Sequence, residues 1–590
     1  MPEIRKIKEF TSTLLKAEIT GLSDEIARDY QDCTVKITGL NAMQTVDLKI
    51  EAIEVGKSTT IFSQKITLGR EVHLVGPLKI DRRCQLAISG DVSGQLLNPA
   101  DCKIESTMSY DDSAMRTLRL GVFFDGTGCN AYNSERYFNS FTSIGDYLES
   151  LIERFNDSII PKSYRYSPQL SYVSGLSNIW NLYRSFTEGQ IDEKTYQAKT
   201  YVEGAGTKKD ALDSMFTMGT GWSPPVGPQT GVIAKTDDAV QQIKDVLANL
   251  GNDFDRVKLC IFGFSRGAAS ARHFANRIEK QDRTLLSAFN TAKYGAPEVR
   301  FIGLYDTVAS ILALSQGDID FGDSKTGDVD ISMDDAIAED VFHITAGHEV
   351  RENFSSNHVT PVFQKELKLP GVHEDIGGLM HEKVEERMYL TQILYSSSWR
   401  KIDNKDTSSY KKSTEDLSKL LDVVHWGKIY EACGISVSSE VRDRPLNSTL
   451  YANAVQLRRE AVYPGLNCVS FQAMRYYAEK IGLAFAKLPG EDVETVPEDL
   501  QDLHDQALQQ IDQLLAGGTA TSLVDYISPA LGAKYVHNSA FWDEGPNDLV
   551  VDKTGIIDDA TFNLLLINRP HEGNVRREFN ADGSVYTDPA

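Results

Sequence analysis

Ser265 sits in the run Gly263-Phe264-Ser265-Arg266-Gly267, between the apolar stretch Val257–Phe262 and an alanine-rich segment of helical character. A G-x-S-x-G pattern at a strand-to-helix turn is the setting of an exposed nucleophilic serine. The backbone there must bend sharply, and a glycine on either side leaves room for the bend. The helix that follows aims free N–H groups and its positive end at the point where an oxyanion would form. Because a serine hydroxyl is a weak nucleophile at neutral pH, the chemistry also requires an imidazole base and a carboxylate to orient it. Lacking those, the same five residues are only a tight strand-to-helix connection.

Asp306 and His373 are expected to supply them. Asp306 follows the apolar run Val299–Leu304 and should lie just past the end of a strand, where its carboxylate can accept from an imidazole nitrogen. The alternative for Asp306 is a cap on a helix begun by Thr307. His373 lies in 371-GVHEDIGG-378, downstream of both, and Ser265, Asp306, His373 is the chain order of α/β-hydrolase triads. Glu349 and Asp375 are rival acids and His537 a rival base, while His343 reads as a packed, hydrogen-bonded histidine. The oxyanion donors are expected from Gly126 and Thr127, in the turn after 121-GVFFDGTG-128 begins, and from Arg266. Asp125 can tie that turn together. No cofactor or metal is expected: Glu374 and Asp375 fall short of the ligands a hard cation takes, and the seven cysteines show no metal spacing.

The segments GFSRGA, 121-GVFFDGTG-128, 201-YVEGAGT-207, 303-GLYDTVAS-310 and 371-GVHEDIGG-378 occur in one order along the chain. Together they resemble the bacterial α/β-hydrolase family known as domain of unknown function 2235, which includes the Tle1-type phospholipase effectors of type VI secretion. The resemblance covers about residues 115–380 and resumes near Gly465. It implies a serine phospholipase A acting on membrane phospholipid, a VgrG-like secretion-spike protein as carrier, a cognate immunity protein in the producing cell, and toxicity from the periplasmic side of a target. One departure falls in 339-EDVFHITAGHEVRENF-354: His348 stands where many relatives carry an Asp, so an acid role there would pass to Glu349 or rest on Asp306 alone.

The elements that must hold these residues follow from patterning. The expected fold is an α/β-hydrolase core with a mostly parallel sheet over residues 116–380, preceded by a β-rich docking or accessory domain over 1–115. In that first unit, segments such as 33-CTVKITGL-40 and 59-TTIFSQKITL-68 alternate apolar and polar residues between turn formers. The polar stretch 104–115 reads as a linker, and Ile144–Phe155 as an amphipathic helix. Residues 381–460 are expected to form a mainly helical insertion, a lid or membrane-contact surface, with a polar loop over 403–416. Residues 461–590 should complete the hydrolase domain with helices and loops.

The chain holds 590 residues with 61 basic and 84 acidic side chains, a formal charge of -23. That balance excludes a nucleic-acid partner, which needs a basic footprint, and makes any membrane contact apolar and local. The N-terminal residues lack the uncharged core of a signal peptide, so synthesis in the bacterial cytoplasm and export by a machine that takes folded cargo are expected. The serine site itself does not choose among acyl substrates. A soluble carboxylesterase or acylglycerol lipase, and a non-catalytic interaction protein on a hydrolase scaffold, are the competing readings; turnover of a short ester that is lost on Ser265→Ala separates the enzymes from the scaffold.

Overall fold

The strand Arg256–Phe264, which leads into Ser265, lies in the middle of a seven-stranded sheet, and its own residues explain the position. Val257, Leu259 and Ile261 belong to one buried apolar cluster, whereas Cys260, Phe262 and Phe264 belong to a second. Successive side chains point to opposite faces, so a strand buried at every position from Leu259 to Phe264 is satisfied only when both faces are covered. A one-residue slip would exchange the two sets, which pins the register. The computed structural model describes the strands between Phe10 and Met108 and, beyond them, residues 116–140, 170–173, 175–251, 254–291, 296–312, 326–380, 383–444, 448–542 and 568–587.

Across the sheet the strands run Gly189–Gln190, Thr195–Val202, Thr117–Phe124, Arg256–Phe264, Glu298–Tyr305, Val341–Ala346 and Glu366–Leu369. Every neighbouring pair is parallel except the first. Parallel strands need crossovers, and helices supply them. Val232–Leu250 and Arg266–Glu279 contribute to the cluster on one face, Asn178–Ser185 and Leu466–Lys480 to the other. Tyr477 of that last helix stacks on Phe342, ring centroids 4.2 Å apart, so the C-terminal third of the chain closes the core. Burial of each such aromatic stabilises the fold by about 1.5–3 kcal/mol. This is the α/β-hydrolase architecture expected from the sequence.

Residues 381–460 share their helices with a sheet. Val384–Tyr389 and Leu394–Ser398 both pair antiparallel with the long strand Ser448–Val462, and Ser436–Arg444 pairs with it as well. Burial alternates along Ser448–Asn453, so this strand offers a half-buried template, and cross-strand pairing decides the state of the short apolar segments laid against it. The expected polar loop 403–416 is largely the helix Ser408–Leu421, capped by Thr407, whose side chain accepts from the Tyr410 N–H. A second helix, Trp426–Cys433, follows.

The N-terminal strands form two antiparallel sheets. One orders Phe10–Thr11, Leu15–Thr20, Tyr30–Gly39 and Val72–Asp81; the other orders Lys57–Leu68, Gln44–Glu54, Gln85–Ser93 and Lys103–Met108. The last strand takes up the first half of the stretch read as a linker, where Lys103–Met108 pairs antiparallel with Gln85–Ser93. The helix expected over 144–155 lies outside the described residues. Among the described residues, no helix is long and apolar enough to cross a membrane.

Candidate active site

Ser265 occupies φ 58°, ψ −127°, a conformation that costs a non-glycine residue about 1–3 kcal/mol and persists only where its surroundings enforce it. They do so here. The Ser265 N–H donates to the Tyr305 carbonyl at 3.1 Å, and its own carbonyl accepts from Ala268 and Ala269 at 3.0 and 3.2 Å. The flanking glycines are required by contact: a Cβ on Gly263 would meet the Gly267 carbonyl oxygen at 2.5 Å, and one on Gly267 would meet the Phe124 and Asp125 carbonyl oxygens at 2.3 Å. Gly267 thereby brings the helix start against the Asp125–Gly128 turn.

Tyr305, the partner of Ser265, is followed by Asp306, which leaves its strand at φ 36°. The residues after it are not helical, so Asp306 caps nothing. Its Oδ2 is 2.6 Å from His373 Nδ1. His373 opens the short helix His373–Gly377, and its ring lies between Phe264, at 4.6 Å, and Phe354, at 5.1 Å. With Nδ1–H donated to Asp306, Nε2 is the nitrogen left to accept a proton. Ser265, Asp306 and His373 are thus drawn to one end of the sheet, since Phe264 directly precedes Ser265.

Asp306 also receives a residue that the sequence did not announce. Arg576 donates from Nη1 to Oδ1 at 2.7 Å and from Nη2 to Oδ2 at 2.8 Å, and the Ala346 N–H adds a bond to Oδ1 at 3.0 Å. Burial alone would raise the Asp306 carboxyl, but the Arg576 guanidinium and the His373 hydrogen bond hold it well below the usual carboxylate range.

The rival residues have other partners. Glu349 is gripped by Arg351 through Nε at 3.0 Å and Nη2 at 2.8 Å, and it takes the backbone N–H of His373 at 3.3 Å rather than its ring. Asp375 accepts from the Val372 N–H at 3.0 Å, fixing the start of the helix that carries His373, and pairs with His537 Nδ1 at 2.6 Å. His343 is a packed histidine: Nδ1 meets Glu366 at 2.8 Å while Nε2 accepts from the Thr307 N–H at 3.1 Å. Among the described residues, no group of three or more His, Cys, Asp or Glu side chains is arranged to hold a metal ion.

The three residues expected to offer oxyanion donors differ. The Gly126 N–H is committed to Asp125 Oδ1 at 2.8 Å, and Tyr201 donates to Asp125 Oδ2 at 2.6 Å. Burial pushes Asp125 up to about 6, against the hydrogen bonds from Ser177, Tyr201 and Gly126. Asp125 therefore ties the loop, as its sequence suggested, and it does so with the N–H that Gly126 was expected to offer. Thr127 keeps a buried hydroxyl with no partner among the described residues. Arg266 is the first residue of its helix, where no intrahelical carbonyl reaches the N–H. Its side chain holds the loop after Asp306, donating from Nε to the carbonyls of Ala309 and Ser310 at 3.0 and 3.1 Å.

Residues 119–294 match the family model described as T6SS, phospholipase effector Tle1-like, catalytic domain. Among solved structures, the Tle1 effector bound to the VgrG spike of the type 6 secretion system aligns with a TM-score of 0.59 at 24% identity, over 81% of this chain and 96% of that one. An uncharacterized protein from Pseudomonas aeruginosa aligns at 15% identity with a TM-score of 0.31, over 70% of this chain and 52% of that one. No curated protein matches the chain.

Proposed function

We propose that this chain, whose residues 119–294 carry a Tle1-like phospholipase catalytic domain, is a serine phospholipase A with Ser265, His373 and Asp306 as its triad. The observation that carries the reading is the 2.6 Å bond from His373 Nδ1 to Asp306 at the same sheet end as the strained Ser265 turn. His373 Nε2 takes the Ser265 proton as the serine oxygen attacks the carbonyl carbon of an acyl ester. The oxyanion forms toward the Arg266 N–H and Thr127. The tetrahedral species collapses to acyl-serine, the lysophospholipid leaves with the proton returned by His373, and a water activated by the same imidazole releases the fatty acid.

A phospholipid must be met at a surface. The inserted segment presents Trp399, 75% exposed, and Val424, 70% exposed, together with Tyr395, Ile402 and Leu421. Exposed aromatic and aliphatic side chains of this kind bind a lipid interface by apolar contact, which suits a chain of charge -23. The likeness to a Tle1 effector bound to a VgrG spike supports a VgrG-like carrier for this chain. Delivery as an antibacterial effector into the periplasm of a target cell, and an immunity protein in the producer, belong to the same proposal through the family resemblance of the motifs.

Incubation with defined mixed-chain phospholipids, followed by mass spectrometry, tests substrate class and the ester cut together. The parent chain should release one fatty acid per lipid, and Ser265→Ala should lower the rate by several powers of ten with the fold retained. Turnover of short soluble esters with intact phospholipid would move the assignment to a carboxylesterase. Ser265→Ala activity within about tenfold of the parent would refute the nucleophile.

A further inference from the structure

The segment 568–587 returns to the active site from the far end of the chain. Glu578–Phe579 pairs in parallel with Ser356–Asn357, the Ser356 N–H donates to the Arg577 carbonyl at 2.9 Å, and the His358 N–H donates to Phe579 at 2.8 Å. Asn357 in turn donates its N–H to Thr307, the neighbour of Asp306, at 2.9 Å. This stack delivers Arg576, and every nitrogen of its guanidinium is used. Nη1 and Nη2 straddle the Asp306 carboxylate, while Nε donates to the Phe354 carbonyl at 2.6 Å. The Phe354 ring is one wall of the His373 imidazole. Arg576 therefore holds the acid and the aromatic wall of the base from one rigid fork.

We propose that Arg576 is a positioning residue of the triad, so that the C-terminal segment completes the catalytic centre; this rests on the triad reading given above. A carboxylate wholly removed from water is costly to ionise unless it is paired and hydrogen-bonded. His373 alone supplies one bond to Asp306. Arg576 provides a permanent charge and two parallel bonds, which fix the plane of the carboxylate and keep it an acceptor for Nδ1–H. The other titratable groups facing the pair are His343, beside Thr307, and Glu349 and Glu578, both on the Arg576 side. Those two carboxylates are held by their own partners, Arg351 for Glu349 and Lys368 with His358 for Glu578.

The test compares Arg576→Met, Arg576→Lys and Arg577→Met by steady-state ester hydrolysis and by the rate of fluorophosphonate labelling of Ser265 across pH. Arg577 is the next residue of the same segment and bonds Glu352, so its variant disturbs the docking of the segment without touching Asp306. For Arg576→Met, kcat and labelling should fall by roughly 10- to 100-fold with KM within about twofold. The acid limb of the kcat profile should also move to higher pH, because a buried Asp306 without its cation takes up a proton more readily. Arg576→Lys keeps the charge without the fork and should lie between, with its acid limb near the parent's. An Arg576→Met profile with the parent's acid limb, or a loss no larger than that of Arg577→Met, would overturn the proposal. A parent chain that neither turns over esters nor labels at Ser265 would instead overturn the triad reading on which it stands.

Discussion

Replacing Asp306 by Asn removes one charge and adds no volume, yet the geometry makes it a severe change. Oδ1 accepts from Ala346 and Arg576, and Oδ2 accepts from His373 and Arg576. Asparagine has one carbonyl oxygen, so in either orientation its NH2 faces two donors. Turned toward His373, the NH2 enforces the tautomer with the proton on Nε2, which cannot accept from Ser265. Turned toward Ala346, it breaks that bond and the one from Nη1. Both orientations leave the Arg576 guanidinium buried without its counter-charge, and breaking a buried pair in this way costs about 3–5 kcal/mol. With a urea dependence of ~3 kcal/mol per molar, the unfolding midpoint of the catalytic domain should fall by about 1–2 M. The rate should drop by about 10⁴-fold through loss of the productive tautomer. Urea titration followed by tryptophan fluorescence, with ester turnover on the same preparation, reads both. A midpoint within about 0.3 M of the parent and a rate within about tenfold would refute the argument from the buried pair.

The two histidine–carboxylate pairs should separate by phenotype. His373→Ala should match Ser265→Ala in rate, whereas His537→Ala should keep turnover within about tenfold and lose ~1–3 kcal/mol of stability, because Asp375 is left buried with one partner fewer; the reverse pattern would make His537 the base. His358 carries a pH dependence: burial opposes its charge, but Glu366 and then Glu578 override it and lift the imidazole to about 9. A folded value above the unfolded one of about 6.5 gives stability that is whole below pH 6.5 and lost as pH rises through 9, so unfolding midpoints should fall between pH 7 and 10 and His358→Gln should flatten that fall. At a membrane, flotation of liposomes should depend weakly on salt and strongly on Trp399→Ser combined with Leu394→Ser; binding that vanishes at high salt and ignores those substitutions would refute apolar insertion.

The Ser265 turn could be read from the chain because its causes are contiguous: an apolar strand, two glycines whose added Cβ atoms would strike backbone within a few ångströms, and a helix of small residues. Asp306 and His373 were legible for a similar reason, since each follows a strand of the same parallel sheet and the ends of such strands converge on one edge. The N-terminal strands, too, followed from local alternation. What stayed hidden depends on partners that no local pattern names. Arg576 lies 270 residues from Asp306, in a pair of adjacent arginines with no motif around them, and only folding shows which of the two meets the buried carboxylate. The strands of the insertion arise because Ser448–Val462 arrives late in the chain and pairs with segments whose own composition leaves helix and strand close in energy. Steric and hydrophobic demands act between neighbours and leave a mark in the sequence; the pairing of buried charges and the edges of sheets are settled by which distant segments meet.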